Sequence, residues 1–214
     1  MRVRKVLGGK KLYIDSSSLT VVLIGDWNKL YMRPDWIASN VFTENEIEVG
    51  VHGIGATFSI SFRKKNVAIN PTQEKVIFSA FNVEQETVEY LCKCVNNFIR
   101  NANSAVDIEY GFNCSYIDDD KSHFSEILDS ISDVSLLISA DVKIRDTEIN
   151  RVLEINGNIV SMNTSENEEN VIVQFNEHHR EKLEQLDCQR IFTFIEECRK
   201  LLLILEYEVE DDEE

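Results

Sequence analysis

The sequence predicts an α+β fold made of two similar βαβββα-type halves, whose strands form antiparallel sheet with the helices packed on one face. Two features indicate this class. Several segments of strand length alternate strictly between apolar and polar residues, and the same order of elements occurs once in each half of the chain. A long helix with a regular apolar face closes each half and supplies the layer that covers the sheet.

The clearest strands lie in the second half. From Val106 to Tyr116 every second residue is apolar or aromatic, and the segment from Val134 to Ile144 repeats this alternation. Each pattern predicts a long strand with one buried face. Between them a short helix is predicted by apolar residues at helical spacing, namely Phe124, Ile127, Leu128 and Ile131.

The remaining elements follow the same order in both halves. The second half continues with strands at 151–155, 159–162 and 171–175 and a helix at about 181–207, and Asn156-Gly157 is a strong hairpin-turn signal. The first half has strands at 20–27, 46–51, 57–62, 67–69 and 76–81, a short helix from Pro34 to Phe42, and a long helix at about 83–101.

Local sequence supports a duplication of this unit. Residues 66–72 align with 158–164, and residues 76–82 align with 171–176 after one deletion. The order of elements resembles the saddle of the TATA-binding protein. This topological resemblance implies a pseudo-twofold arrangement of the halves and no function, because a fold alone does not carry one.

The net charge of −16 is concentrated in one part of the chain. Residues 1–104 carry 13 Lys and Arg against 10 Asp and Glu, whereas residues 105–214 carry 9 against 28. We therefore divide the chain into a first half, 1–104, an acidic second half, 105–207, and a disordered acidic tail, 208–214. This balance disfavours direct nucleic-acid binding, which needs a cationic surface. The basic N-terminus and the Arg63-Lys64-Lys65 turn are local exceptions.

The sequence contains no recognisable motif for a catalytic, metal or cofactor site. Five cysteines without regular spacing predict buried thiols in a reducing compartment, and we expect a cytoplasmic protein without metal or cofactor. The adjacent His178 and His179 diverge on a strand or a helix, so they predict no metal site. An enzyme whose residues converge from distant segments stays open. A deep pocket that holds His52, His123 or His178 would identify it.

The most distinctive segment runs from Ile24 to Phe42 and contains Gly25-Asp26-Trp27-Asn28 and Pro34-Asp35-Trp36. It resembles a stretch of small uncharacterised bacterial proteins, and the resemblance covers about the first half of the chain. It implies no activity. We expect Trp27 and Trp36 to pack the short helix on the sheet.

The C-terminal helix carries the strongest functional signal. Phe194, Leu201 and Leu205 lie on its apolar seam, Leu203 and Ile204 widen the apolar surface, and the acidic chain end adds Glu208, Glu210, Asp211 and Asp212. We expect this end to bind a second copy of the chain or a basic protein partner. A fully internal helix with a solvated tail is the alternative.

The leading hypothesis is therefore a non-enzymatic adaptor or regulatory subunit of a bacterial complex. A role of this complex in phage defence is part of the hypothesis, although no residue of the sequence indicates it. An acidic nucleic-acid mimic is the second hypothesis, and a regular row of surface carboxylates would distinguish it.

Overall fold

The computed structural model describes residues 10–15, 17–27, 33–54, 57–72, 74–102, 107–118, 148–166, 170–205 and 207–210. Its strands and helices confirm the α+β class. In chain order the elements are β1 (Lys10–Ile14), β2 (Thr20–Ile24), α1 (Pro34–Ile37) with a π-helical turn (Ala38–Phe42), β3 (Glu48–Ile54), β4 (Thr57–Lys64), β5 (Val67–Pro71), β6 (Lys75–Ala80), α2 (Gln85–Asn101), β7 (Glu109–Asp118), β8 (Glu148–Ile155), β9 (Asn158–Glu166), β10 (Val171–His179), α3 (Cys188–Ile204) and β11 (Tyr207–Glu210).

The chain divides into two compact units. The larger unit contains Ser16–Cys114 and Asn176–Ile195, and the smaller unit contains Met1–Asp15, Ser115–Phe175 and Glu196–Glu214. Strands β7 and β10 and helix α3 therefore each contribute residues to both units. This division does not follow the predicted boundary near residue 104, because β7 begins in one unit and ends in the other.

In the larger unit the strands are hydrogen-bonded in the order β3-β4-β5-β6-β2-β7-β10. The pairings of β3 with β4, β4 with β5, β5 with β6, β6 with β2, and β2 with β7 are antiparallel, as predicted. A two-residue turn, Lys65-Asn66, joins β4 to β5, and Lys65 adopts a φ of 53°. Of the predicted basic turn Arg63-Lys64-Lys65, Lys65 lies in the turn, whereas Arg63 and Lys64 belong to β4.

In the smaller unit β8 and β9 form an antiparallel hairpin around Asn156-Gly157, whose φ values of 52° and 84° are those of a tight primed turn. Strand β9 is followed in the sheet by β10. Strand β1, also in this unit, pairs antiparallel with the end of β7 and parallel with β11. Neither β1 nor β11 was predicted.

Strand β7 lies in the core. Ile108, Tyr110, Phe112 and Cys114 are buried, which confirms the predicted inward face, whereas Val106 lies outside the described residues. Glu109 and Asn113 are half-buried rather than fully solvated. For Asn113 the reason is its hydrogen bonding to both neighbouring strands. Its side-chain amide donates to Thr20 Oγ1 on β2 at 2.9 Å and accepts from Asn176 on β10 at 2.6 Å.

A close approach of two backbones requires Gly111 in β7. A Cβ atom at this position would lie 2.8 Å from the carbonyl oxygen of Glu177, well inside van der Waals contact. Glycine therefore allows β7 and β10 to pack tightly in the larger unit.

Helix α2 packs against the short helix through aromatic and amide side chains. Trp27 and Trp36 both meet the ring of Phe98 edge-on, at 4.9 and 6.1 Å between centroids, which agrees with the expected packing role. The amides of Asn97 and Asn101 donate to the carbonyl oxygens of Val41 and Asn40 in the π-helical turn. The turn then ends at Thr43, which adopts a left-handed φ of 57°.

Helix α3 is shorter than predicted at both ends. It begins at Cys188 rather than near residue 181, because the preceding segment is held by side chains instead of by helical hydrogen bonds. Asn96 of α2 donates to the Leu186 carbonyl and accepts from the Leu186 amide, at 2.9 and 2.7 Å. The predicted strand from Val134 to Ile144 and the short helix before it lie outside the described residues.

A disulfide bond links Cys92 of α2 to Cys188 at the start of α3, with the two Cα atoms 5.6 Å apart. This finding corrects the expectation that all five cysteines are thiols. The pairing depends on helix positions that sequence spacing does not reveal, since the two residues are 96 positions apart. Cys94, Cys114 and Cys198 are buried, as expected.

Substitution of Phe112 tests the central position of β7. Phe112 is fully buried and packs against Phe194 of α3 at 5.6 Å between centroids. We expect Phe112→Ala to lower the free energy of unfolding by about 3–5 kcal/mol in denaturant titrations, because the loss combines transfer and cavity terms. Val152→Ala, at an exposed position on β8, is the control and should change it by less than about 0.5 kcal/mol. Equal losses would place Phe112 outside the core.

Candidate functional site

The residues predicted to bind a partner occupy different environments along α3. Phe194 is 1% exposed and packs on Phe112, so it belongs to the core rather than to a docking surface. Leu201 is half-buried, and Leu205, just after the helix, is exposed. The seam therefore changes character along the helix, from buried at Phe194 to accessible at Leu205.

The most accessible apolar side chains at this end are Leu203 and Ile204, which are 59% and 75% exposed. They lie in the last turn of α3, and this turn contains no basic residue. Leu202 of the same turn is fully buried. The turn therefore has one buried face and one exposed apolar face. The accessible residues at the helix end, Leu203, Ile204 and Leu205, are called the α3-end patch below.

The acidic chain end begins as a strand. Tyr207–Glu210 form β11. In the backbone register with β1, Glu208 lies opposite Lys11 and Glu210 lies opposite Tyr13. The start of the acidic tail is therefore paired, although we expected residue 208 to begin a disordered segment. Tyr207 is buried, which anchors the strand, and burial beside the carboxylate of Asp118 raises the pKa of its phenol to about 12. Asp211 and Asp212 lie outside the described residues.

A second cluster of functional groups lies in the larger unit, where the end of β10 meets the start of α3. The Glu177 side chain is 2% exposed, and its Oε1 lies 3.0 Å from Arg190 Nη2 and 2.8 Å from His179 Nε2. Buried carboxylates need such partners because desolvation penalises the charged form. The cluster therefore neutralises a carboxylate inside the fold.

Aromatic rings enclose the imidazole of His179. Tyr110 stacks on it at 4.5 Å between ring centroids, and Phe112 meets it edge-on at 5.8 Å. The Tyr110 hydroxyl donates to Glu181 Oε1 at 3.1 Å, and burial together with this carboxylate raises the pKa of Tyr110 to about 12. With its imidazole enclosed, the cluster acts as a structural connection between β10 and α3.

The sequence contained a signal for this cluster. Val171, Val173, Phe175, Glu177 and His179 alternate on the buried face of β10, so the strand period continues through two polar residues. His178 and His179 both lie on this strand. They do diverge as expected: His178 points the other way and pairs with Glu109 at 3.1 Å, in an exposed position.

The features that would indicate an enzyme do not come together in the described part of the chain. His52 is exposed on β3 and His178 is exposed on β10, whereas His123 lies outside the described residues. A groove of about 380 Å³ lies beside the start of α2, lined by Lys65, Asn66, Glu84, Glu86, Thr87, Glu89, Tyr90 and Lys93. Its charges have mixed sign, and neither of these histidines lines it.

Within the described ranges, no three His, Cys, Asp or Glu side chains converge as a metal ion would require. None of the helices in those ranges is long and apolar enough to span a membrane.

The chain matches no protein family, and no curated protein is similar to it in sequence.

Removal of Arg190 tests the structural role of the buried cluster. We expect Arg190→Met to lower the free energy of unfolding by about 2–3 kcal/mol, because it leaves the Glu177 carboxylate buried beside a single partner. Lys200→Met breaks an exposed pair with Glu196 and should cost less than about 0.5 kcal/mol. Thermal or urea unfolding of both variants measures the difference. Similar small effects would mean that Glu177 is accessible to water.

Proposed function

We propose that the protein is a non-enzymatic binding protein, an adaptor or regulatory subunit, that docks a basic protein partner on the α3-end patch. The observation that carries the proposal is the exposure of Leu203 and Ile204, 59% and 75%, at the end of a helix that leads directly into the acidic chain end. Docking combines burial of this apolar surface with attraction to the carboxylates that follow it.

Apolar burial supplies affinity in this account. Full burial of a leucine or isoleucine side chain contributes about 1.5–3 kcal/mol, and both residues retain more than half of their exposure. A partner that covers them both would therefore gain roughly 2–4 kcal/mol. Because 1.4 kcal/mol corresponds to a tenfold change in affinity, these two positions alone affect binding by about 30- to 1,000-fold.

Electrostatics determine the kind of partner. A helix C-terminus carries partial negative charge, and Glu206 and Glu208 follow the end of α3 within four residues. In the sequence, negative charge therefore follows directly on a helix end whose dipole is also negative. A cationic surface relieves both, so a basic protein suits this end better than an acidic or neutral one.

The nucleic-acid mimic receives less support from the described strands. On one face of β8, Glu148 and Glu154 are separated by Asn150 and Val152, which places the two carboxylates about 20 Å apart. A phosphate track needs closer and regular charges. The acidic residues that lie outside the described ranges leave this function as the second candidate.

We also propose that the two halves arose by duplication. Strands β4-β5-β6-β2 and strands β8-β9-β10-β7 are each neighbours in this order, and each set is followed along the chain by a long helix, α2 or α3. The aligned segments 66–72 and 158–164 include β5 and the start of β9, which are equivalent in this order. The pseudo-twofold, saddle-like arrangement stays a prediction.

The docking proposal predicts that Leu203→Ser with Ile204→Ser abolishes partner capture. When the tagged full-length chain is purified from its native host, we expect proteins with basic surfaces to be recovered with it. The double variant should recover at least tenfold less of them, because the apolar contact is lost without a change in charge. Quantitative mass spectrometry of the eluates provides the measurement.

Val152→Ser with Ile159→Ser is the matched control, since it removes two equally exposed apolar side chains from β8 and β9. It should recover the same proteins as the wild type. Two outcomes would show that the α3-end patch is not the docking site. Both double variants could lose the partner equally, or the α3-end variant could recover every protein that the wild type recovers.

Two truncations separate the role of the acidic end from that of β11. Removal of residues 211–214 leaves β11 intact and should weaken partner binding mainly at low salt, because it removes four screened charges. Removal of residues 208–214 should in addition lower the thermal unfolding midpoint, because the parallel pairing with β1 is lost. Binding at 50 and 500 mM salt that is identical for the full chain and both truncations would show that the tail contributes only solubility.

A further inference from the structure

Strand β3 has an unusual position in the larger unit. It is the terminal strand in the order β3-β4-β5-β6-β2-β7-β10, and within the described residues it pairs only with β4. One edge of β3 therefore presents backbone amides and carbonyls that no described strand satisfies. Such an edge is a template for pairing with another strand.

The side chains of this hairpin add an apolar surface to the open edge. Val49, Val51 and Ile60 are 46%, 65% and 44% exposed, and Val51 lies directly opposite Ile60 in the register. The same face continues to Phe62, opposite Val49, which is fully buried. The apolar face of this hairpin is therefore buried at Phe62 and exposed to solvent at Val49, Val51 and Ile60.

Natural edge strands usually carry lysine, proline or inward charges that prevent pairing. The other terminal strand in the order, β8, carries the exposed charges Glu148, Arg151 and Glu154. In contrast, the sequence of β3 from Glu48 to Ile54 has one charged residue and two glycines. This edge lacks the residues that protect β8.

The sequence of β3 is complementary to itself in one antiparallel register. Directly opposed residues in an antiparallel pair point to the same face of the sheet. A twofold axis perpendicular to the sheet must therefore lie between the two copies of one residue, and the register is named here by that residue. If the axis passes through Gly50, Val49 faces Val51 of the second copy on the apolar side. Glu48 then faces His52 of the second copy on the polar side, and both contacts occur twice.

Neighbouring registers are poorer. An axis through Val51 sets Glu48 against Ile54 and Val49 against Gly53. An axis through Val49 pairs only residues 48–50 of β3, with Glu48 against Gly50. Gly50 also has little room for a side chain, because a Cβ atom there would lie 2.5 Å from Ser61 Oγ and 3.1 Å from His52 Nε2. The register centred on Gly50 is therefore the one that satisfies apolar and charged positions together.

We propose that the protein forms a symmetric dimer in which β3 pairs antiparallel with β3 of a second copy, centred on Gly50. The contact extends the sheet of the larger unit across the dimer axis, covers Val49 and Val51, and joins Glu48 to His52 of the other chain. This surface is separate in sequence from the α3-end patch, and the proposal does not rest on partner docking there. A two-stranded contact of this length is small, so we expect a dissociation constant in the micromolar range.

Sedimentation velocity of the full-length protein over a range of concentrations tests the dimer. The wild type should change from monomer to dimer between about 1 and 100 μM. Val51→Lys should raise the dissociation constant at least tenfold, because it places a cation in the apolar pair next to the axis. Val152→Lys, at an exposed position on β8, should leave it unchanged. Circular dichroism melts should establish that each variant is folded.

Charge exchange tests the register itself. Glu48→Lys and His52→Glu should each weaken the homodimer, since each places unfavourable side chains opposite one another. When the two variants are mixed, the lysine at position 48 of one chain faces the glutamate at position 52 of the other, and the unmodified Glu48 faces the unmodified His52. We therefore expect the mixed dimer to be at least tenfold tighter than either homodimer.

Three results would overturn the proposal. The wild type could remain monomeric up to about 100 μM, the range of weak contacts. Its dimer could survive Val51→Lys but dissociate in the Leu203→Ser and Ile204→Ser variant, which would assign self-association to the α3-end patch. Finally, the mixed variants could show no preference for each other, which would mean that β3 accepts an extended segment of another protein or pairs in another register.

Discussion

Strand β7 must be covered on both of its faces and bonded on both of its edges, and most of the described structure follows from this requirement. Its buried residues include Phe112 and Cys114, whose exposure is zero. Its neighbours in the strand order are β2 and β10, and the end of the strand also pairs with β1. Unsatisfied polar groups are costly in such a position. Asn113 is accordingly bonded to Thr20 and Asn176, and Gly111 admits the Glu177 carbonyl.

The start of α3 depends on the same strand. Phe194 packs on Phe112, and Arg190 binds the Glu177 carboxylate at the end of β10, while the disulfide between Cys92 and Cys188 attaches the first turn to α2. Within the larger unit the helix is thus held by an aromatic contact, a buried ion pair and a covalent bond. Its last turn, in the smaller unit, has none of these attachments among the described contacts and exposes Leu203 and Ile204. This exposed turn is the surface on which the docking proposal rests.

Local patterns predicted those parts of the fold that local physics determines. The alternation through Tyr110 and Phe112 identified β7 because large apolar side chains on one strand face require a core. The Asn156-Gly157 turn was predictable because these residues accept positive φ. Proline at the first helical position identified the start of α1.

The remaining features depend on contacts between distant residues. Strand β1 begins with Lys10 and Lys11 and pairs in parallel with β11, almost 200 residues later, so no local signal announces it. Helix α3 starts late because Asn96 holds the backbone of Leu186 outside a helix. The Cys92–Cys188 bond and the Glu177–Arg190 pair likewise require the packed arrangement of elements. Among the candidate site residues, the sequence identified the helix end but could not separate the buried Phe194 from the exposed turn beyond it.

Amide hydrogen exchange under native conditions tests the central place of β7 most directly. If the strand is the element on which the fold depends, the amides of Glu109–Asp118 exchange only through global unfolding and are the slowest in the protein. Their exchange free energy should equal the unfolding free energy measured with denaturant, while amides in the last turn of α3 exchange through local opening. Exchange of β7 amides at the rate of that last turn would contradict the account.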